Sequence, residues 1–162
     1  MKKISTKFLV TAGIITAAYA VLTLLLSPIS YGVMQVRISE AMISLCIFTP
    51  AAIPGLAIGC FLSGILGPNG IVDALLGTVA TLIGAWGTYR LRKHKYIAPI
   101  VNVISNGVIV GAMLHYVYGV EIPLIYCILW VSLGEFISCI VLGAAVTKYL
   151  SSRKTDIFSD VN

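Results

Sequence analysis

Thr49-Pro50-Ala51-Ala52-Ile53-Pro54 interrupts an uncharged stretch that runs from position 41 to 66, and the reading of that stretch decides the fold. The stretch is longer than the roughly 20 residues that one helix needs to cross a bilayer core. Each proline lacks an N–H and biases the residue before it away from helix, so the segment reads as a break. Charge decides whether the chain crosses once or twice here. Lys2, Lys3 and Lys7 precede the first apolar run, Arg90, Arg92, Lys93 and Lys95 form a second cluster, and Lys148, Arg153 and Lys154 form a third. Only Arg37 lies elsewhere. One crossing would put the 90–95 cluster opposite the basic N-terminus. Two crossings put all three clusters on one side, as the positive-inside rule requires.

Working outward gives six predicted spans, at roughly 8–26, 34–49, 53–66, 71–90, 97–118 and 122–149, with a solvated tail over 151–162. Gly67-Pro68-Asn69-Gly70 and Gly119-Val120-Glu121 supply turns between them. The expected fold is an all-α integral membrane bundle of six transmembrane helices with both termini cytoplasmic. Ala18-Tyr19-Ala20 mimics a signal-peptidase site, but the apolar run continues through it to Leu26, so a retained helix is expected. The bulk numbers agree with a membrane protein: of 162 residues, 59% are hydrophobic and 10% charged, too few polar groups to cover a soluble surface. The net charge of +5 resides in the flanking clusters, which argues against nucleic acid as partner.

No catalytic site, cofactor or metal centre is expected. The chain has no G-x-S-x-G, H-E-x-x-H or Walker loop, and His94 and His115 fall at opposite ends of the predicted bundle. Cys46, Cys60, Cys127 and Cys139 lie in apolar runs without a C-x-x-C pair, as small buried hydrophobes do. No ATPase element is encoded, so active transport would draw its energy from other chains. No internal repeat or inverted symmetry is evident, which argues against a stand-alone secondary transporter.

Ionisable groups inside a span cost about 2.5–3.5 kcal/mol on insertion scales and need a reason. Arg37 and Glu40, three apart on one face with Ser44, fit either a self-neutralising pair or the lining of an outward pocket. Asp73, near the start of the fourth span, reads as a helix cap. The fifth and sixth spans form a hairpin in which Asn106 and Glu135 lie about 14 residues either side of the turn, both about 20 Å deep. Asn102 is one turn below Asn106, and Ser132 and Ser138 flank Glu135. No basic residue on these two spans partners Glu135, which favours a ligand that brings its own donors. Tyr31, Tyr116, Tyr118, Tyr126 and Trp130 gather towards the outside as belt residues, with one or two able to stack on a planar ligand. Small residues at four-residue spacing, Gly13 with Ala17 and Thr16 with Ala20, give the first helix a face for close packing, within the bundle or against a partner.

The stretch Tyr31-Gly-Val-Met-Gln-Val-Arg-Ile-Ser-Glu-Ala41 resembles the signature of the QueT family. Ala52-Ile53-Pro54-Gly55-Leu56, the turn before Asp73 and Leu133-Gly134-Glu135 extend the resemblance over most of the chain. It implies the S component of an energy-coupling factor (ECF) transporter for queuosine precursors, a multi-pass protein of the bacterial plasma membrane. Such a subunit captures its substrate outside and docks onto a transmembrane T component driven by two cytoplasmic ATPases. The docking face would be Gly13, Thr16, Ala17 and Ala20. The implied ligand is a 7-deazaguanine such as 7-aminomethyl-7-deazaguanine. Glu135 would read its guanine-like edge with help from Asn106 and Asn102, Glu40 would face the amine with Arg37 orienting it, and Tyr31 would complete the site. Competing readings are an S component for another vitamin or planar heterocycle, a small intramembrane enzyme and a non-transport membrane scaffold.

Overall fold

The computed structural model describes residues 5–31 and 35–152, and every regular element among them is helical. Lys2, Lys3, the start of the second predicted span at 34, and Arg153 and Lys154 with most of the tail lie outside the described residues. The helices are α1 (Thr6–Leu25), the single turn α2 (Ser27–Ser30), a 3-10 helix (Ile38–Ile47), α3 (Ala52–Leu66), α4 (Gly70–Arg90), α5 (Ile100–Tyr116), α6 (Leu124–Glu135) and α7 (Gly143–Ser152). A π-helical segment, Phe136–Leu142, joins α6 to α7 in one continuous rod. Among the described residues, three helices are long and apolar enough to cross a membrane: Thr6–Leu25, Gly70–Arg90 and Leu124–Ser152. The 3-10 helix, α3 and α5 are apolar but shorter.

Neighbours in sequence pack as neighbours in space: α1 on α3, α3 on α4, α4 on α5 and α5 on α6. Small residues set these distances, because dispersion contacts between backbones replace the hydrophobic effect in lipid. Gly55 and Gly59 of α3 receive Ala12, Ile15, Thr16 and Tyr19 of α1. Gly107 and Gly111 of α5 receive Ser132 and Ile128 of α6. The large apolar side chains left over, such as Leu9, Ile14, Leu66, Leu75 and Trp130, point outward. A bundle with its small and polar residues inside and its bulk outside is the arrangement a bilayer favours.

The second predicted span differs in kind. It is a 3-10 helix of 10 residues where an α-helix over 34–49 was expected. Such runs rarely exceed three or four residues, because their hydrogen bonds are strained and side chains three apart eclipse. Here eclipsing gives the segment one wholly buried edge, Glu40, Ile43 and Cys46, while Met42, Leu45 and Phe48 are only partly buried. At about 2.0 Å per residue, the segment also reaches further through the bundle than an α-helix of equal length. It touches α1, α3, α4, the π segment and α7. Ser44 Oγ donates to the Gly143 carbonyl (3.1 Å), and Cys139 Sγ to the Glu40 carbonyl (3.6 Å), so the 3-10 helix and π segment lie against each other.

A Cβ added at Gly59 would lie 2.8 Å from Tyr19 Cβ and 3.0 Å from the Thr16 carbonyl. Gly59→Val therefore forces α1 away from α3 and is expected to destabilise the protein by about 1–3 kcal/mol. Thermal unfolding in detergent measures this, and an unchanged Tm would contradict the packing of α1 on α3.

Candidate functional site

Charged and polar side chains fill the interior in two layers, arranged along one face of α4. Asp73, Gly77, Thr81 and Gly84 follow one another at helical spacing, all facing inward. Asp73 is in the first turn of α4, whose N-cap is Asn69, so the carboxylate is not the expected cap. It accepts two hydrogen bonds from Arg37 Nη2, at 2.9 and 3.0 Å. Arg37 Nε donates to the Ser30 carbonyl (3.2 Å), and its guanidinium lies 5.4 Å from the Tyr31 ring centroid. Tyr31 itself is tied to α3 through its hydroxyl, which donates to the Ser63 carbonyl (2.6 Å). Arg37 is thus neutralised by Asp73, not by Glu40, and does not orient Glu40 by contact.

Glu40 turns the other way, deeper into the bundle. It accepts from the Tyr19 hydroxyl, from Thr81 Oγ1 (3.4 Å) and from Asn102 Nδ2 (2.9 Å). The same Asn102 nitrogen lies 3.2 Å from Glu135 Oε2, which also accepts from Cys139 Sγ (3.3 Å). Glu40, Asn102 and Glu135 are at most 1% exposed. Thr81 is eight residues beyond Asp73 on α4, so this second layer lies about 12 Å below the ion pair. Two carboxylates bridged by one amide, with no ion pair to a cation among the described residues, repel each other unless a proton or a positive group lies between them.

The structure brings Glu40, Asn102 and Glu135 together and places Arg37 and Tyr31 in the layer above. Asn106 stands beside the cluster rather than opposite Glu135. Its Nδ2 donates to the Asn102 carbonyl (3.2 Å), and its Oδ1 has no partner among the described residues. Gly107 packs on Ser132 and Gly111 on Ile128, a register that puts Glu135 level with position 104, between the two asparagines, and Asn102 is the one whose side-chain nitrogen reaches it. On α1, Gly13 and Ala17 face outward with nothing near the glycine among the described residues, Ala20 is half-buried, and Thr16 donates to the Gly55 carbonyl (2.9 Å).

Sequence reasoning missed Tyr19, Thr81 and Cys139. A lone tyrosine midway along an apolar run was the available signal for Tyr19, since its hydroxyl needs a partner when buried. For Thr81 the signal was its position on the Asp73 face; for Cys139, its position one turn after Glu135.

Glu40, Glu135 and Cys139 offer donor atoms within 4.8 Å of one another, a geometry that a metal ion could use. Zinc takes mixed thiolate and carboxylate sets, but here Cys139 Sγ donates a hydrogen bond to Glu135 as a thiol. Asn102 already aims N–H groups at both carboxylates, which marks them as acceptors for organic N–H donors.

The family model described as QueT transporter matches residues 9–152. The chain belongs to the QueT transporter family. QueT proteins are transporters rather than enzymes, and the long apolar helices suit a membrane protein. Within the family, the chain is 39% identical over 85 residues to the queuosine precursor transporter QueT of Lactococcus lactis subsp. cremoris (strain MG1363). That alignment covers 51% of this chain and 50% of the relative, so the chain matches about half the length of that protein. No solved structure matches the chain.

Asp73→Asn would leave the Arg37 guanidinium buried without a counter-charge, and is expected to cost about 3–5 kcal/mol of stability. Arg37→Met combined with Asp73→Leu replaces the pair by apolar groups and should recover most of that loss. Melting of the three proteins in detergent decides. A single variant as stable as the parent would contradict the ion pair.

Proposed function

We propose that this QueT protein is the substrate-binding S component of an ECF-type importer, taking up a queuosine precursor such as 7-aminomethyl-7-deazaguanine. On this reading the chain crosses the plasma membrane six times with both termini cytoplasmic. The 3-10 helix and the α6–π–α7 rod each make one crossing. The basic residues at the ends of α4 and α7 then share the cytoplasmic side, as the positive-inside rule favours.

The observation that carries the proposal is the buried Glu40–Asn102–Glu135 cluster. Two acceptor groups sharing one donor call for a ligand rich in N–H groups and bearing positive charge. A deazaguanine supplies both. Glu135 accepts the ring N–H and exocyclic amine of the guanine-like edge, as a carboxylate does well. Glu40 receives the aminomethyl cation, helped by Tyr19, which donates to the same carboxylate. Asn102 keeps its N–H groups on the two carboxylates, Asn106 Nδ2 has an N–H left for the ring carbonyl, and Asn106 Oδ1 offers a further acceptor. The relative named a queuosine precursor transporter supports this ligand class.

Substrate would enter from the Tyr31 end, past Arg37 and Asp73, since both sit above the carboxylates on the α4 face. No ATPase belongs to the proposed role of this chain. A T component would dock on the outward face of α1, where Gly13 and Ala17 lie open with Thr16 and Ala20 beside them, and two cytoplasmic ATPases would drive it. Co-purification of a T component and ATPases tests that assembly, and a monomer that binds no partner would count against it.

Titration of the purified protein with 7-aminomethyl-7-deazaguanine tests the site. Glu135→Gln should weaken binding by about 30-fold or more, the cost of removing one partner of a buried charged contact. Glu40→Gln should weaken the aminomethyl compound more than its uncharged 7-methyl analogue. Unchanged affinity in Glu135→Gln would remove Glu135 from the site. Preference for a planar heterocycle without the amine would assign the subunit another vitamin.

A further inference from the structure

A second feature lies at the opposite end of the molecule from Tyr31. Ile53, in the first turn of α3, and Leu82, Ile83 and Trp86 of α4 line an apolar groove of about 490 Å³. Leu82, Ile83 and Trp86 are all exposed. One turn beyond the groove, the Arg90 guanidinium lies 4.7 Å from the Trp86 ring centroid. Lys93, His94 and Lys95, with Tyr96 and Ile97, then line a second depression of about 340 Å³. Phe48, just before α3, carries Lys95 Nζ at 5.7 Å from its ring, so both depressions belong to one end of the bundle.

Arg90, Arg92 and Lys95 lie over aromatic rings, and no carboxylate pairs with them among the described residues. Arg92 lies over Tyr89 at 4.5 Å, repeating the Arg90–Trp86 arrangement. Among the described residues, Glu40, Asp73 and Glu135 are buried in the bundle, and Glu121 lies in the turn at the other end. Asp156 and Asp160 fall outside the described residues. A guanidinium stacked on a ring face keeps its in-plane N–H groups for a bidentate anion such as phosphate.

We infer that this end is a binding site for one anionic phospholipid, with an acyl chain in the Ile53–Leu82–Ile83–Trp86 groove and the phosphate on Arg90 and its basic neighbours. Groove and cations are continuous through Trp86, whose ring lines one and stacks on the other. Basic sites between helices at the membrane surface suit acidic headgroups in this way. The choice of an anionic lipid over a zwitterionic one rests on the excess of positive charge. The groove distinguishes a seated lipid from diffuse attraction to the surface.

The full chain, reconstituted in phosphatidylcholine with a minority of phosphatidylglycerol and re-extracted in detergent, tests this by mass spectrometry of the lipid it retains. Phosphatidylglycerol should be enriched over the bulk mixture, falling about fivefold for each charge removed by Arg90→Gln and Arg92→Gln. Arg90→Lys with Arg92→Lys, which keeps the charge, should retain much of the enrichment. Ile83→Trp fills the groove with every cation intact and should abolish it. These residues are at the surface, so unaltered melting serves as the folding control. No enrichment, enrichment that survives Ile83→Trp, or a polypeptide retained in place of lipid would each overturn the inference.

Discussion

A guanidinium in the interior of an apolar bundle is tolerable only when an anion meets it with good geometry, and Arg37 has that partner in Asp73. Its two hydrogen bonds fix the start of the 3-10 helix against the first turn of α4. From that anchor the rest follows in order. Glu40, one 3-10 turn after Arg37, is directed down into the bundle, towards Thr81 on the Asp73 face of α4. Because Arg37 is already paired with Asp73, no second cation pairs with Glu40 or Glu135 among the described residues. The interior is left with acceptors in excess.

Two irregular helices make this arrangement possible. The 3-10 segment stacks Glu40, Ile43 and Cys46 on a single buried edge. The π segment begins immediately after Glu135, where insertions in helical geometry often mark functional sites. Their mutual contact, through Cys139 and the Glu40 carbonyl, brings two carboxylates from distant parts of the chain to one amide. Small residues do the complementary work, letting α1, α3, α5 and α6 approach closely enough that the polar layer is sealed.

Much of this was legible in the sequence, for identifiable reasons. Hydropathy and proline punctuation located the helices: α4 ends at Arg90, where the basic cluster begins, and α3 begins beside Pro54. The burial of Arg37, Glu40, Asn102 and Glu135 followed from the cost of placing such groups in a span without a reason. The pairings were less legible. A spacing of three fits an α-helix and a 3-10 helix alike, so the backbone type of Ile38–Ile47 could not be read. Asp73 stands where caps stand, which disguised it as the partner of Arg37. Counting from the turn placed Asn106 against Glu135, because depth alone does not tell which of two asparagines one turn apart aims its amide at the carboxylate. Tyr19 was read as part of a cleavage-site mimic, although its hydroxyl reaches Glu40.

The central claim is that the excess of buried acceptors exists to hold a cationic, N–H-rich heterocycle. Mass spectrometry of the small molecules released from protein purified directly from its cells tests this without presuming a ligand. The account predicts a stoichiometric cationic deazaguanine in the parent protein, and its disappearance when Glu40 and Glu135 are both changed to Gln. A neutral or anionic compound in its place, or the same compound retained by the double variant, would contradict it.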